Sequence, residues 1–112
     1  MFRRGDIVLG PFPAAEGNSN IGTHHLVVLD SSTDGTLVMF TTSLKEATGG
    51  AYEFSEEERI SARWSKPCRF DPNRVALFRH QDLSRLTATS GRLSKKTIDK
   101  MILAATRAKA QL

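Results

Sequence analysis

The sequence predicts a mainly-β fold, a small barrel with a C-terminal α-helix, and three observations lead to it. Two apolar runs, THHLVVLD at 23–30 and TLVMFTTS at 36–43, are rich in β-branched residues and nearly continuous, as in strands buried on both faces. Further short runs follow at close spacing, separated by Gly, Pro, Asp and Asn, the punctuation of turns. Only after Ser94 does the period lengthen: Ile98, Met101, Ile102 and Ala105 stand at i, i+3, i+4 and i+7, one face of an amphipathic helix. A chain of 112 residues can bury one core but not two independent ones, so residues 1–112 are expected to form a single domain.

GDIVLGPF (5–12) reads as the first strand, entered through Gly5 and closed by Pro11 and Pro13, with Ile7 and Leu9 on one face and Asp6 and Val8 on the other. PAAEGNSNIG (13–22) is small, polar and Gly-bearing, the composition of a mobile loop. SSTDG (31–35) joins the two apolar strands, and Asp34-Gly35 offers the positive-φ geometry of a tight hairpin. Past a Gly49-Gly50 link, AYEF (51–54) is a short strand, and SEEER (55–59) carries a capping box, Ser55 with Glu58 three residues on, enough for one helical turn. PCRF (67–70) and RVALF (74–78) read as two short strands on either side of a DPN turn, and Ser94 caps the last helix.

Hydrophobic residues at 39% and charged residues at 25% give the balance of a globular chain rather than a disordered one. No apolar run approaches the ~20 residues of a membrane span. The MFRRGD start lacks the apolar stretch of a secretory signal, so a cytoplasmic protein with no membrane partner is expected. One cysteine, Cys68, cannot form an internal disulfide or build a zinc site by itself; neither metal nor other cofactor is expected. Sixteen Lys and Arg against twelve Asp and Glu give +4, which favours a polyanionic partner. The charge is uneven: Asp99 is the only acid after Asp82, in a segment holding Arg85, Arg92, Lys95, Lys96, Lys100, Arg107 and Lys109, while acids gather at Glu53, Glu56, Glu57 and Glu58. A polyanion such as RNA is expected to approach the first segment and avoid the second.

Four motifs in order resemble the MazF/PemK/Kid family of bacterial toxins. RRGDIVLGPF looks like the family's opening strand; TTS at 41–43 stands at the end of the third strand, where the family carries a Thr-Ser pair. CRFD at 68–71 is similar to the family's Arg-x-Asp strand, and GRLS at 91–94 to the start of its last helix, with matching spacing over nearly the whole chain. The resemblance implies an SH3-like barrel, a homodimer, and a metal-independent endoribonuclease (an mRNA interferase) that cleaves single-stranded RNA and is neutralised by a cognate antitoxin. It breaks at one place: where the family reads Gly-Thr-Arg-Pro, this chain has Gly22-Thr23-His24-His25, so His24 takes the position of the catalytic arginine.

RNA cleavage without a metal needs a base for the 2′-hydroxyl proton, a cation for the charge developing on phosphate, and an acid for the leaving oxygen. A histidine can fill any of these roles, because the residue type titrates near neutrality, whereas arginine stabilises charge but does not shuttle protons. His24 could therefore keep catalysis alive with altered roles, leaving Arg69 as the charge stabiliser; it could equally be half of a structural pair at a strand entrance. Alternation sends the His25 side chain to the other face, where a structural use is favoured. By the resemblance, Thr42 orients the phosphate, and Arg69 and Asp71 hold or deprotonate the reacting groups; as plain chemistry, hydroxyls at a strand end satisfy the backbone, and an Arg-x-Asp pair can be a surface ion pair. Arg-x-Asp spacing puts both residues on one strand face. The candidate catalytic set is thus His24, Thr42, Arg69 and Asp71, with Ser43, His25 and Phe12 as candidates for substrate contact.

Two rivals stand beside the ribonuclease. A non-catalytic toxin of the same fold, of the gyrase-poisoning type, is favoured by loss of the family arginine. An inactive nucleic-acid-binding relative would need only the net positive charge. Retention of Arg69, Asp71 and Thr42 speaks against the gyrase-poisoning rival.

Overall fold

The protein is described from a computed structural model covering residues 2–12, 21–43, 52–65 and 68–110. Its elements run β1 (Asp6–Phe12), β2 (Ile21–Ser32), β3 (Gly35–Ser43), β4 (Tyr52–Glu53), α1 (Glu56–Ala62), β5 (Cys68–Phe78), a 3₁₀ segment (His80–Arg85), β6 (Thr87–Arg92) and α2 (Lys95–Ala110). The strands make one sheet in the order β4-β5-β3-β2-β1-β6, every pair antiparallel. The fold is therefore mainly β with a C-terminal helix, as the sequence predicts. Residues 13–20 of the polar loop and the Gly49-Gly50 link lie outside the described residues; Ile21 and Gly22 already belong to β2.

The apolar runs at the sheet centre are buried on both faces, and strand alternation sorts them into two clusters. On one face Ile7, Val27, Leu29 and Met39 pack with Ile98 and Met101 of α2 and with Phe54, Ala62, Trp64 and Leu93. On the other Val8, Leu26, Val28, Val38 and Phe40 pack with Phe78 and Leu86, flanked by Phe2, Ala76 and Leu83. Each fully buried Leu, Ile or Val contributes ~1.5–3 kcal/mol relative to exposure, so the double-sided burial of β2 and β3 dominates the fold.

Local signals hold with adjustments. The hairpin closes through Ser32↔Gly35, which makes Thr33 and Asp34 the two linking residues, and Gly35 alone takes the positive φ, +144°. Ser55 and Glu58 form both bonds of the capping box, the Ser55 hydroxyl accepting from the Glu58 amide at 3.2 Å and the Ser55 amide donating to Glu58 Oε1 at 2.8 Å. With that cap and three acids in its first turn, α1 runs seven residues rather than a single turn. Ser94 caps α2 through the Thr97 amide at 3.2 Å. Of the helix stripe, Ile98 and Met101 are buried and Ala105 is half-buried, whereas Ile102 stays 38% exposed, at the edge of a buried face that runs through Ile98, Met101, Ala104 and Ala105. CRF (68–70) and RVALF belong to the one strand β5: its ladder jumps from Thr41↔Phe70 to Met39↔Val75, setting residues 71–74 opposite Phe40 alone. An irregularity that bends a strand without ending it is what the Pro of DPN produces here.

The closed barrel, and with it the SH3-like closure, is a correction: the sheet is open, with β4 and β6 as its edges. Closure requires the edge strands to pair, and β4 offers only Tyr52 and Glu53. Helix α1 occupies that side instead. The Ser61 hydroxyl donates to the Arg92 carbonyl of β6, and Gly91 lies so tightly under α1 that a Cβ there would collide with the Ala62 carbonyl oxygen.

Candidate active site

The long strand β2 pairs with β1 through Gly10↔His24 and Leu9↔His25, which fixes which way each histidine faces. His24 alternates with Leu26 and Val28, so its half-buried ring lies on the face of Phe40 and Val38. There it meets the Phe40 ring edge-on, centroids 5.0 Å apart and planes at 60°. Leu26 stands opposite Phe40; continuing that register by two residues sets His24 level with Thr42. Thr42 in turn stands opposite Arg69, and Arg69 opposite Glu53. Directly opposed residues share a face, so His24, Thr42, Arg69 and Glu53 form one row across β2, β3, β5 and β4. His24 and Arg69 lie two strand spacings apart, ~10 Å, a span that one nucleotide phosphate with its ribose can bridge.

His25 is turned to the opposite face and takes no part in that row. Burial, and after it the charge of neighbouring His24, hold its imidazole below the ordinary value of 6.5. Its backbone is pinned: the buried Thr41 hydroxyl donates to the His25 carbonyl at 2.7 Å, the backbone-satisfying role expected of that hydroxyl. This bond ties the mouth of β2 to β3 and so fixes the height at which His24 stands in the sheet.

Arg69 carries the positive charge of the row. Its Nη2 lies 3.6 Å from Glu53 Oε2, with the two side chains 32% and 61% exposed, and its Nε is buried without a hydrogen-bond partner among the described residues. Among the described residues its ion-pair partner is Glu53, across the ladder. Asp71 sits in the irregular part of β5, where two-residue alternation from Arg69 no longer fixes a common face. The side chains of Asp71, Thr42, Ser43 and Phe12 lie outside the described residues; their backbones place Thr42 and Ser43 at the end of β3 and Phe12 at the end of β1. Glu53 was invisible as a site residue in sequence, where it merges with the acids of α1; only the β4-β5 pairing separates it from them.

The helical part of the basic segment stands away from the row, whereas Arg85 lies beside Gly10, the residue opposite His24. Lys95, Lys96, Lys100 and Arg107 are exposed on α2, and α2 packs through Ile98 and Met101 on the face away from His24. A cleft of about 260 Å³ lined by Arg4, Leu37, Val75 and Ile102 lies on that helix side too. Among the described residues no group of three or more His, Cys, Asp or Glu is placed to hold a metal ion, and no helix is long and apolar enough to cross a membrane. Compared with protein-family models and with curated protein sequences, the chain finds no match in either.

Proposed function

We propose that this chain is a toxin-like, metal-independent endoribonuclease acting on single-stranded RNA. The observation that carries the reading is the row on one sheet face: an imidazole, a threonine position and a guanidinium on adjacent strands, level with one another. In this reading Arg69 and Thr42 seat the scissile phosphate. The RNA 2′-oxygen attacks phosphorus and its proton passes to a base; the P–O5′ bond breaks and the leaving oxygen takes a proton from an acid, giving a 2′,3′-cyclic phosphate and a 5′-hydroxyl. His24 supplies one of the two proton transfers. A homodimer as the acting form and a cognate antitoxin as inhibitor belong to the same proposal and rest on the motif resemblance; residence in the cytoplasm joins them as the compartment where such RNA is met.

Incubation with single-stranded RNA in excess chelator tests it: cleavage to cyclic-phosphate ends is the expected result, and intact RNA over a broad pH range removes the proposal. One observation favours a second reading. The His24 ring is packed against Phe40 and Arg69 is engaged by Glu53, as suits a non-catalytic relative, whether of the gyrase-poisoning type or a nucleic-acid binder. Salt-dependent RNA binding without cleavage would select the nucleic-acid binder, and gyrase inhibition without either would select the poison.

A further inference from the structure

The two-residue strand β4 brings a carboxylate to the one guanidinium of the candidate row. We propose that Glu53 is a built-in competitor for the anion seat of Arg69, setting how tightly the chain holds a phosphate; this rests on the reading of Arg69 as the phosphate-binding residue. Three features support it. Glu53 stands directly opposite Arg69 in the ladder, so the carboxylate is delivered by backbone pairing rather than by chance contact. The separation of 3.6 Å is that of an ion pair without a hydrogen bond, so the seat is occupied but not filled. Arg69 Nε, a donor on the edge of the guanidinium fork, is buried with no partner among the described residues, so the exposed part of the guanidinium is where an anion arrives. A phosphate bound there, with donor–acceptor distances of ~2.7–2.9 Å, would make the hydrogen bonds that Glu53 does not, and the Nε–H reports on it from within the same group. Glu53 is the more exposed partner and can swing into solvent as the phosphate arrives.

An exposed pair of this kind is a weak competitor, strong enough to lower phosphate affinity by roughly two- to fivefold and too weak to block the site. That is the property of a selectivity filter: a lone weak anion fails to displace the carboxylate, whereas a polyanion strand with further contacts does. Glu57, exposed on α1 and outside the row, provides a control that changes net charge by the same amount.

The test is fluorescence anisotropy with a labelled, uncleavable 2′-O-methyl RNA oligomer at low salt, using wild type, Glu53→Gln, Glu57→Gln, Arg69→Gln and the Glu53→Gln/Arg69→Gln double variant. Glu53→Gln is expected to tighten binding roughly two- to fivefold, Glu57→Gln by less than half of that, and the Glu53→Gln gain is expected to vanish in the Arg69→Gln background. Where wild type binds the oligomer, equal gains from both glutamates, a gain that persists without Arg69, or no gain from Glu53→Gln would each overturn the proposal. A parallel NMR titration of the Arg69 Nε–H signal with inorganic phosphate separates it from the RNA reading. If the oligomer does not bind any variant but phosphate shifts that signal at lower concentration in Glu53→Gln than in wild type, the competitor stands and the ribonuclease falls. If phosphate shifts it identically in both, the competitor is wrong whatever the RNA does.

Discussion

The two faces of the sheet are built from the same three central strands and do different work. The face under α2 is closed by apolar residues alone in its middle: Ile7, Val27 and Met39 against Ile98 and Met101, all fully buried. The opposite face begins the same way, with Val8, Leu26, Val28 and Val38, but toward one end of β2 and β3 the apolar series gives way to His24, Thr42 and Arg69. Residues one apart in sequence therefore serve different faces, as His24 and His25 illustrate: one is in the polar row, the other faces away. A packed face can hold a reactive face still, because strands anchored on one side leave their partner residues little freedom on the other.

The comparison breaks if the faces fail to separate under mutation. The largest expected effect is on chemistry: His24→Ala should lower RNA cleavage by roughly 10²- to 10⁴-fold, the usual cost of losing a general acid or base, while urea unfolding stays near wild type. His24→Arg sharpens that result. Recovery of cleavage relative to Ala would mean a fixed cation suffices, whereas loss comparable to Ala together with disappearance of one limb of the pH-rate profile would mean a titrating imidazole is needed. On the packed face, Met101→Ala should cost ~2–5 kcal/mol in chemical denaturation, through lost burial plus the cavity left behind, with cleavage per folded molecule unchanged. A Met101→Ala protein of wild-type stability would mean α2 is not what closes that face.

Smaller effects probe the seam between the faces. Gly91→Ala forces a Cβ into the Ala62 carbonyl and should destabilise by ~1–3 kcal/mol, measured as a lower urea midpoint with α1 amides exchanging faster than those of β2. The smallest effect is on pH dependence. His25 is held below 6.5 in the folded chain, so on acidification the unfolded chain takes up that proton first; its contribution to stability is present above about pH 6.5 and is lost as pH falls toward the lowered folded value. Comparing urea midpoints at neutral and mildly acid pH for wild type and His25→Gln checks the sign: the variant should lose less on acidification, and a variant that loses more would reverse the assignment.

The strands and the last helix were legible in sequence because their signals are local. Val27-Val28 and Val38 through Phe40 declare buried strands by composition, and Ser94 with Ile98 and Met101 declares a capped helix by spacing. Alternation alone separated His24 from His25. What was not legible depends on pairing between distant segments. The open sheet follows from β4 being too short to pair with β6 and from α1 lying beside β6, neither of which leaves a trace in hydropathy. The union of CRFD and RVALF in β5 follows from a ladder on β3 that continues past a proline. The Glu53–Arg69 pair joins residues sixteen apart through a strand too short to recognise from composition.

Helix α1 has a consequence for solubility. Among the described residues strand β6 pairs on one side only, with β1, and a strand with a free side is a template on which other chains can grow. The Ser61 hydroxyl on the Arg92 carbonyl and the press of Ala62 on Gly91 put a helix where an intruding strand would add. A molecule whose α1 is melted or clipped should keep most of its core yet nucleate fibrils along β6, with thioflavin fluorescence rising before global unfolding. Seven residues of helix would then be guarding the whole population of molecules against one another.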